Sequence, residues 1–213
     1  MAEQSAAGPR ERYRQQVRAE VQELAWRQIA EAGASALSLK AIAKQMGITA
    51  PALYRYFASR DDLLTELILS AYRDLAEVVE TATATADPGP ARLASAATAI
   101  RHWALSNRQR YLLIYGTPVP GYSAPPEATA LATRIFDPLV QGFSAISADR
   151  DAASDPPPAL RRALIFWTRL HGVISLEVAG HFAGMPFDPA QLYAGEVASI
   201  LADFDQDSSD QDS

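Results

Sequence analysis

The chain has 213 residues, 48% of them hydrophobic and 21% charged, with a net charge of −6 and no cysteine. That composition supports a buried core, excludes a disulfide framework or thiolate metal site, and suits a reducing cytoplasm. The stretch MAEQSAAGPRERYRQQ lacks an apolar signal core and no run of about 18 apolar residues follows, so neither a secretory leader nor a membrane span is expected.

Residues 1–9 are small and polar and are expected to be disordered. From Arg10 to Ala32 the residues Val17, Val21, Leu24, Ala25 and Ile29 recur at helical spacing, and Gly33 is placed to stop that helix. The next stretch, SLKAIAKQMGITAPALYRYFASR from Ser38 to Arg60, reads as two short helices joined at Gly47, a residue free to adopt positive φ. Ser38 and Thr49 are N-caps, Pro51 sits where a missing N–H is harmless, and Leu53 and Phe57 anchor the second helix. Thr49 to Tyr56 is expected to be helical. Ser59-Arg60-Asp61-Asp62 resembles a capping box for a long helix running to about Thr85, which ADPGP (86–90) ends.

Further helices are expected at 91–106, 108–115, 127–147, 159–183 and 189–204, with no strand-like alternation. GTPVPGYSAPP (116–126) and SADRDAASDPPP (147–158) are loops, and residues 205–213 close an acidic tail expected to be disordered. The chemistry-bearing patterns are few. There is no Gly-rich phosphate loop and no nucleophile–base pattern, and His102, His171 and His181 lack acidic neighbours at metal-ligand spacing. No cofactor, metal or catalytic residue is therefore expected.

Charge is divided along the chain. Residues 10–60 hold nine Lys/Arg against four Glu, or +5, whereas residues 61–213 hold ten Arg against twenty acids, or −10. Such a split suits a protein that meets phosphate at one end, although uneven solvated faces would also produce it. Two helices about a Gly turn, with Thr49, Tyr54, Arg55 and Tyr56 on the second, can lie in a DNA major groove.

Residues 15–67 resemble the tetracycline-repressor (TetR) family of bacterial transcriptional regulators. The likeness rests on the long first helix, the cap and Gly turn, the Leu53-Tyr54 pair and FASRDDLL. WTRLHGVISLEVAGHF (167–182) looks like the C-terminal domain of a TetR subgroup marked by Trp, His and Gly, here Trp167, His171 and Gly172. The resemblance implies an all-α fold of about nine helices. A three-helix helix-turn-helix head (10–60) would precede a ligand-binding and dimerisation domain (61–204). It also implies a homodimeric repressor on a palindromic DNA operator, released by a small-molecule effector.

Within that resemblance the DNA-contacting positions are Lys40, Thr49, Ala50, Pro51, Tyr54, Arg55, Tyr56 and Arg60. Thr49 and Tyr54 suit phosphate oxygens, Arg55 a guanine edge, and Lys40 and Arg60 a flanking clamp. Ala50-Pro51-Ala52 offers little hydrogen bonding, so thymine methyls and DNA shape carry more of the reading. Tyr54 and Tyr56 can alternatively pack. Trp103, Tyr111, Tyr115, Phe136, Phe143, Trp167 and His171 are the candidate pocket residues, with ordinary core packing as the alternative. The helices near 159–183 and 189–204 are the candidate dimer surface. Two rival readings stand beside this one: a helical interaction module that does not bind DNA, and a small all-α enzyme using His171 or Glu177.

Overall fold

A computed structural model describes residues 8–146 and 157–209, with side chains placed as far as Asp203. The expectations for residues 1–7, most of the 147–158 connector and the last four residues lie outside that range. The described residues form nine α-helices and one 3-10 turn, with no strand among them. They divide into two compact units. One comprises the residues up to Ile68 together with Thr117–Ala124, and the other comprises Leu69–Gly116 and the residues from Pro125 onward.

In the first unit, α1 (Pro9–Ala32) buries the stripe Val17, Val21, Leu24, Ala25 and Ile29. It stops at Gly33, whose φ of +79° only glycine adopts without strain and whose N–H donates to Ile29 O at 2.9 Å. The Ser38 hydroxyl accepts from Ala41 N–H at 3.3 Å and starts α2 (Leu39–Gln45), which buries Leu39, Ile42 and Ala43. Gly47 turns the chain at φ +67°, and Thr49 Oγ1 accepts from Ala52 N–H at 3.3 Å to open α3 (Ala50–Leu53).

The second short helix is briefer than the expected 49–56. Beyond Leu53 the backbone tightens to three-residue bonds, Arg55 N–H to Ala52 O at 3.4 Å and Tyr56 N–H to Leu53 O at 2.9 Å. Phe57, whose N–H returns to Leu53 O at 3.3 Å, lies fully in the core beneath the Arg18 guanidinium at 4.4 Å.

The first turn of α4 (Arg60–Ala84) is capped reciprocally: Ser59 Oγ accepts from Asp62 N–H at 3.0 Å, and Asp62 Oδ2 accepts from Ala58 N–H at 2.9 Å. This helix contributes to both units. Leu63, Leu64, Leu67 and Ile68 are buried in the first, and Ala71, Leu75, Ala76 and Val79 in the second.

The second unit is a helical bundle in which α5 (Pro90–Ser106) packs against α6 (Arg108–Tyr115), α7 (Pro126–Ile146), α8 (Pro158–Ala179) and α9 (Pro189–Ser209). Its core includes Leu93, Ala96, Ile100, Trp103, Ile135, Leu139, Phe143, Phe166, Leu170, Ile174 and Val178. Helix α8 ends at Ala179, four residues before the expected 183. Gly180 takes φ +84°, and bonds from Gly180 N–H to Glu177 O and His181 N–H to Leu176 O close a Schellman motif. Helix α9 continues to Ser209, past the expected end at 204. Arg169 of α8 pairs with Glu196 at 2.7 Å and Asp203 at 3.7 Å along it.

Candidate nucleic-acid interface and effector site

The sequence-predicted DNA residues do not share one fate. Lys40, Thr49, Pro51, Tyr54 and Arg55 are exposed, and Ala50 and Tyr56 are half-buried. Leu39, Ile42, Leu53 and Phe57 are all buried, so the other faces of the two short helices are consumed by the core. What remains outward is a Lys, an Arg, a phenol and a hydroxyl on a capped, Gly-turned pair of helices. Thr49 Oγ1 accepts the capping bond, which leaves its O–H free to donate outward.

Arg60 is held differently. Its Nε donates to Leu37 O at 3.2 Å, Nη2 to Ala34 O at 2.9 Å, and Nη1 pairs with Asp61 at 3.1 Å. Two of these contacts hold the turn between α1 and α2 and the third is an ion pair, so Arg60 braces that turn rather than standing out as a free cation.

A second brace was not anticipated. Arg18 Nη1 donates to Tyr56 O at 2.5 Å, its Nη2 pairs with Glu66, and Gln22 Nε2 donates to the same carboxylate at 2.6 Å. Helix α1 is thereby fixed to α4 and to the turn that follows α3. The i, i+4 spacing of Arg18 and Gln22 puts both on one face, which hinted at a shared partner; the acid itself lies 48 residues from Arg18. Thr65 Oγ1 and Tyr122 OH, 3.0 Å apart, tie the Pro-rich loop to the same unit.

The seven candidate pocket residues separate into two groups. Trp103 and Phe143 are core: Trp103 donates Nε1–H to Asp74 at 2.9 Å, and Phe143 packs edge-on to Phe166 at 5.7 Å. Tyr111, Tyr115, Phe136, Trp167 and His171 gather into one ring cluster, joined by Tyr72 of α4. Trp167 stacks on His171 at 5.3 Å and 22°, and Tyr115 meets His171 edge-on at 4.9 Å. Phe136 lies 5.1 Å from Trp167, and Tyr72 lies 6.0 Å from Tyr115.

Tyr111, buried, holds the cluster's polar centre. Its hydroxyl is 2.9 Å from His171 Nδ1 and 2.9 Å from Ser175 Oγ. Ser175, one helical turn beyond His171, belonged to the site although only its spacing signalled it. Burial pushes the Tyr111 phenol up to about 12 and lowers His171 below its ordinary 6.5, so both are neutral at physiological pH. Tyr115 and Tyr72 are likewise shifted upward by burial.

Open clefts lie along the other side of α5. One of about 830 Å³ is lined by Asp74, Glu77, Val78, Ala94, Thr98 and His102. Another of about 540 Å³, toward α9, is lined by Thr98, Arg101, His102, Tyr193, Val197 and Leu201. Arg101 is clamped by Glu177 in a two-bond pair at 2.9 and 2.6 Å, which ties α5 to α8. Among the described residues no group of three His, Asp or Glu is placed to hold a metal, and no helix is long and apolar enough to cross a membrane.

Residues 23–67 match the family of bacterial regulatory proteins known as the tetR family, and residues 93–200 match the tetracyclin repressor-like C-terminal domain. The HTH-type transcriptional regulator Rv1816 of Mycobacterium tuberculosis is 36% identical over 229 residues, covering 95% of this chain and 98% of that protein. The HTH-type transcriptional regulator Mb1846 of Mycobacterium bovis matches to the same extent. Among solved structures, SCO4313, named as a regulatory protein, is 50% identical with a TM-score of 0.81, covering 92% of this chain and 100% of that one. FadR from Bacillus subtilis, solved in complex with stearoyl-CoA, shares the fold at a TM-score of 0.67 and 13% identity over 86% of this chain and 97% of its own.

Proposed function

Because the chain belongs to the tetR family of bacterial regulatory proteins and is a DNA-binding transcriptional regulator of the helix-turn-helix type, we propose that it acts as a ligand-released repressor. It binds a palindromic operator as a homodimer, and a small molecule held in the second unit releases it. The observation that carries this reading is the outward face of Lys40, Thr49, Tyr54 and Arg55, on a unit whose remaining faces are buried. Lys40, Thr49 and Tyr54 position the head on phosphates, Arg55 reads a base edge, and Ala50 and Pro51 abut thymine methyls. Arg60 supports this work by holding the turn before α2.

Two-fold pairing through α8 and α9 would set two heads about one turn of DNA apart or somewhat more. Helix α4, buried at one end in the head and at the other in the ligand-holding unit, is the element through which occupancy acts. An effector that favours the released form by roughly 1–3 kcal/mol lowers operator affinity about 5- to 150-fold. No residue is assigned to catalysis, and the protein works in the cytoplasm beside the chromosome.

Footprinting on the region upstream of the protein's own gene, followed by binding measured against salt, tests the assignment. We expect a two-fold symmetric footprint and affinity that falls steeply with salt. Arg55→Ala is expected to cost roughly 5- to 150-fold in operator affinity with unchanged thermal stability. Arg60→Ala, by contrast, is expected to lower stability first. Salt-insensitive or absent DNA binding would instead favour the interaction-module reading.

A further inference from the structure

Helix α1 is longer than the core it serves. Its buried stripe begins only at Val17, and every residue from Gly8 to Gln16 is exposed. The helix therefore overhangs its own core by about 12 Å, at 1.5 Å per residue. An overhang needs polar residues to stay solvated, and mixed charge would serve. This one carries Arg10, Arg12 and Arg14 against Glu11 alone. Glu11 accepts from Gln15 Nε2 at 3.5 Å, and neither Arg10 nor Arg14 has an ion-pair partner among the described residues. Tyr13, among these arginines, is 63% exposed, more than any other large hydrophobic side chain described.

Helical geometry gives the overhang a direction. Steps of about 100° per residue place Arg10, Tyr13 and Arg14 on the arc centred on Val17 and Val21. That arc faces the core of the head, where Leu39, Ile42, Leu53 and Phe57 of the following elements are buried. Arg18, one turn beyond Arg14, marks where the core ends, because its Nη1 donates to Tyr56 O at 2.5 Å. Past that level the same face of α1 has no core beneath it. It opens toward the side of the head on which α2 and α3 lie.

We propose that this overhang is a second DNA contact, in which Arg10 and Arg14 hold backbone phosphates flanking the stretch covered by the helix-turn-helix, and Tyr13 donates its phenol to one of them. DNA is the partner because the overhang is continuous with the unit that carries Lys40 and Arg55, and its charge complements phosphate. Arginine forks suit phosphate oxygens in pairs, and such contacts add affinity and orientation rather than sequence reading. A length of about 12 Å spans roughly three to four base pairs at 3.4 Å per step. Each half-site is therefore longer than the helix-turn-helix alone requires. The proposal rests on the DNA-binding reading, and the test separates the two.

The full chain is titrated at several KCl concentrations with two fluorescent duplexes. One is the footprinted operator, and the other is the same operator shortened by four base pairs at each end. We expect the shortened duplex to bind more weakly and with a shallower dependence on salt. The double variant Arg10→Ala/Arg14→Ala should lower the slope of log affinity against log salt on the long duplex by roughly 3 to 4, about 0.9 for each of four phosphates in a dimer. It should leave the shortened duplex unchanged. Tyr13→Phe should weaken the long duplex alone and keep its slope, since a phenol displaces no counterion. Arg73→Ala, which removes an exposed arginine of the second unit, should change neither duplex. Circular dichroism checks that each variant is folded. Parental binding of the long duplex by the double variant, equal weakening of both duplexes, or an equal effect of Arg73→Ala would each overturn the contact. So would an effect that depends on whether the flanking pairs are A·T or G·C, which marks reading of the minor groove instead of phosphate. If the parent protein binds neither duplex, the DNA-binding reading falls; if it binds both with one slope, only the overhang's contact does.

Discussion

Arg55 and Arg60 lie five residues apart and look equivalent as letters, but their surroundings give them different work. Arg55 is exposed on the turn that follows α3, whereas Arg60 is bonded to two carbonyls and an aspartate. His171 shows the same dependence on context. Its burial lowers the pKa below 6.5, so the unfolded chain takes up that proton before the folded one does. The stability associated with this residue is therefore intact above pH 6.5 and declines as pH falls through 6.5 toward the lower folded value. His171→Gln keeps a neutral donor and does not titrate. Thermal unfolding followed from pH 7.5 to 5.5 should show a steeper loss for the parent protein than for His171→Gln, and equal slopes would remove His171 as the cause.

At the level of elements, capping chemistry accounts for most helix boundaries. Ser38, Thr49 and Ser59 each accept the expected N-terminal bond, and Gly33, Gly47 and Gly180 supply positive φ where the chain turns. The close pairing of α5 with α7 depends on another glycine. A Cβ added at Gly142 would lie 2.8 Å from both Cγ and Cδ2 of Leu93, a fully buried side chain. Overpacking of this kind costs about 1–3 kcal/mol, of which the better helix propensity of alanine offsets up to about 1 kcal/mol. Gly142→Ala should thus lower the denaturation midpoint by an amount equivalent to about 1–2 kcal/mol in urea unfolding. A midpoint equal to or above that of the parent would show that α5 and α7 can separate without cost. The short α3 was the least legible element, because its end is set by Arg18 reaching the Tyr56 carbonyl from 38 residues away.

At the scale of the whole molecule, the basic 10–60 segment and the acidic remainder agree with a protein whose contact with DNA is confined to one unit. The second unit leaves large apolar side chains uncovered on its last helices. Leu164 and Leu176 of α8 are 41% and 45% exposed, with Thr168 and Gly172 between them on the same face, and Leu192 of α9 is 38% exposed. Such a stripe suits a partner copy in a two-fold interface. Leu176→Glu should convert a dimer into a monomer in sedimentation analysis and weaken operator binding by an order of magnitude or more, since one head loses the tethering of the other. A variant that stayed dimeric would move the interface away from α8.

The all-α class, the helix-turn-helix and its caps, and the separation of basic and acidic regions follow from the sequence alone. Each rests on neighbours three or four residues apart, on glycines with one conformational use, or on simple charge, and none needs knowledge of which helix meets which. Tertiary structure alone decided that Arg60 braces a turn, that Arg18 and Glu66 lock α1 to α4, that Trp103 and Phe143 are core, and that Tyr72 and Ser175 join Tyr111 and His171. Those partners lie between 23 and 64 residues apart in the chain, or share a face of one helix with no local sign of what covers it. An aromatic at helical spacing reads the same whether it is sealed in a core or left partly open in a cluster of rings. Only the packing of helices distant in the chain around His171 separates the two.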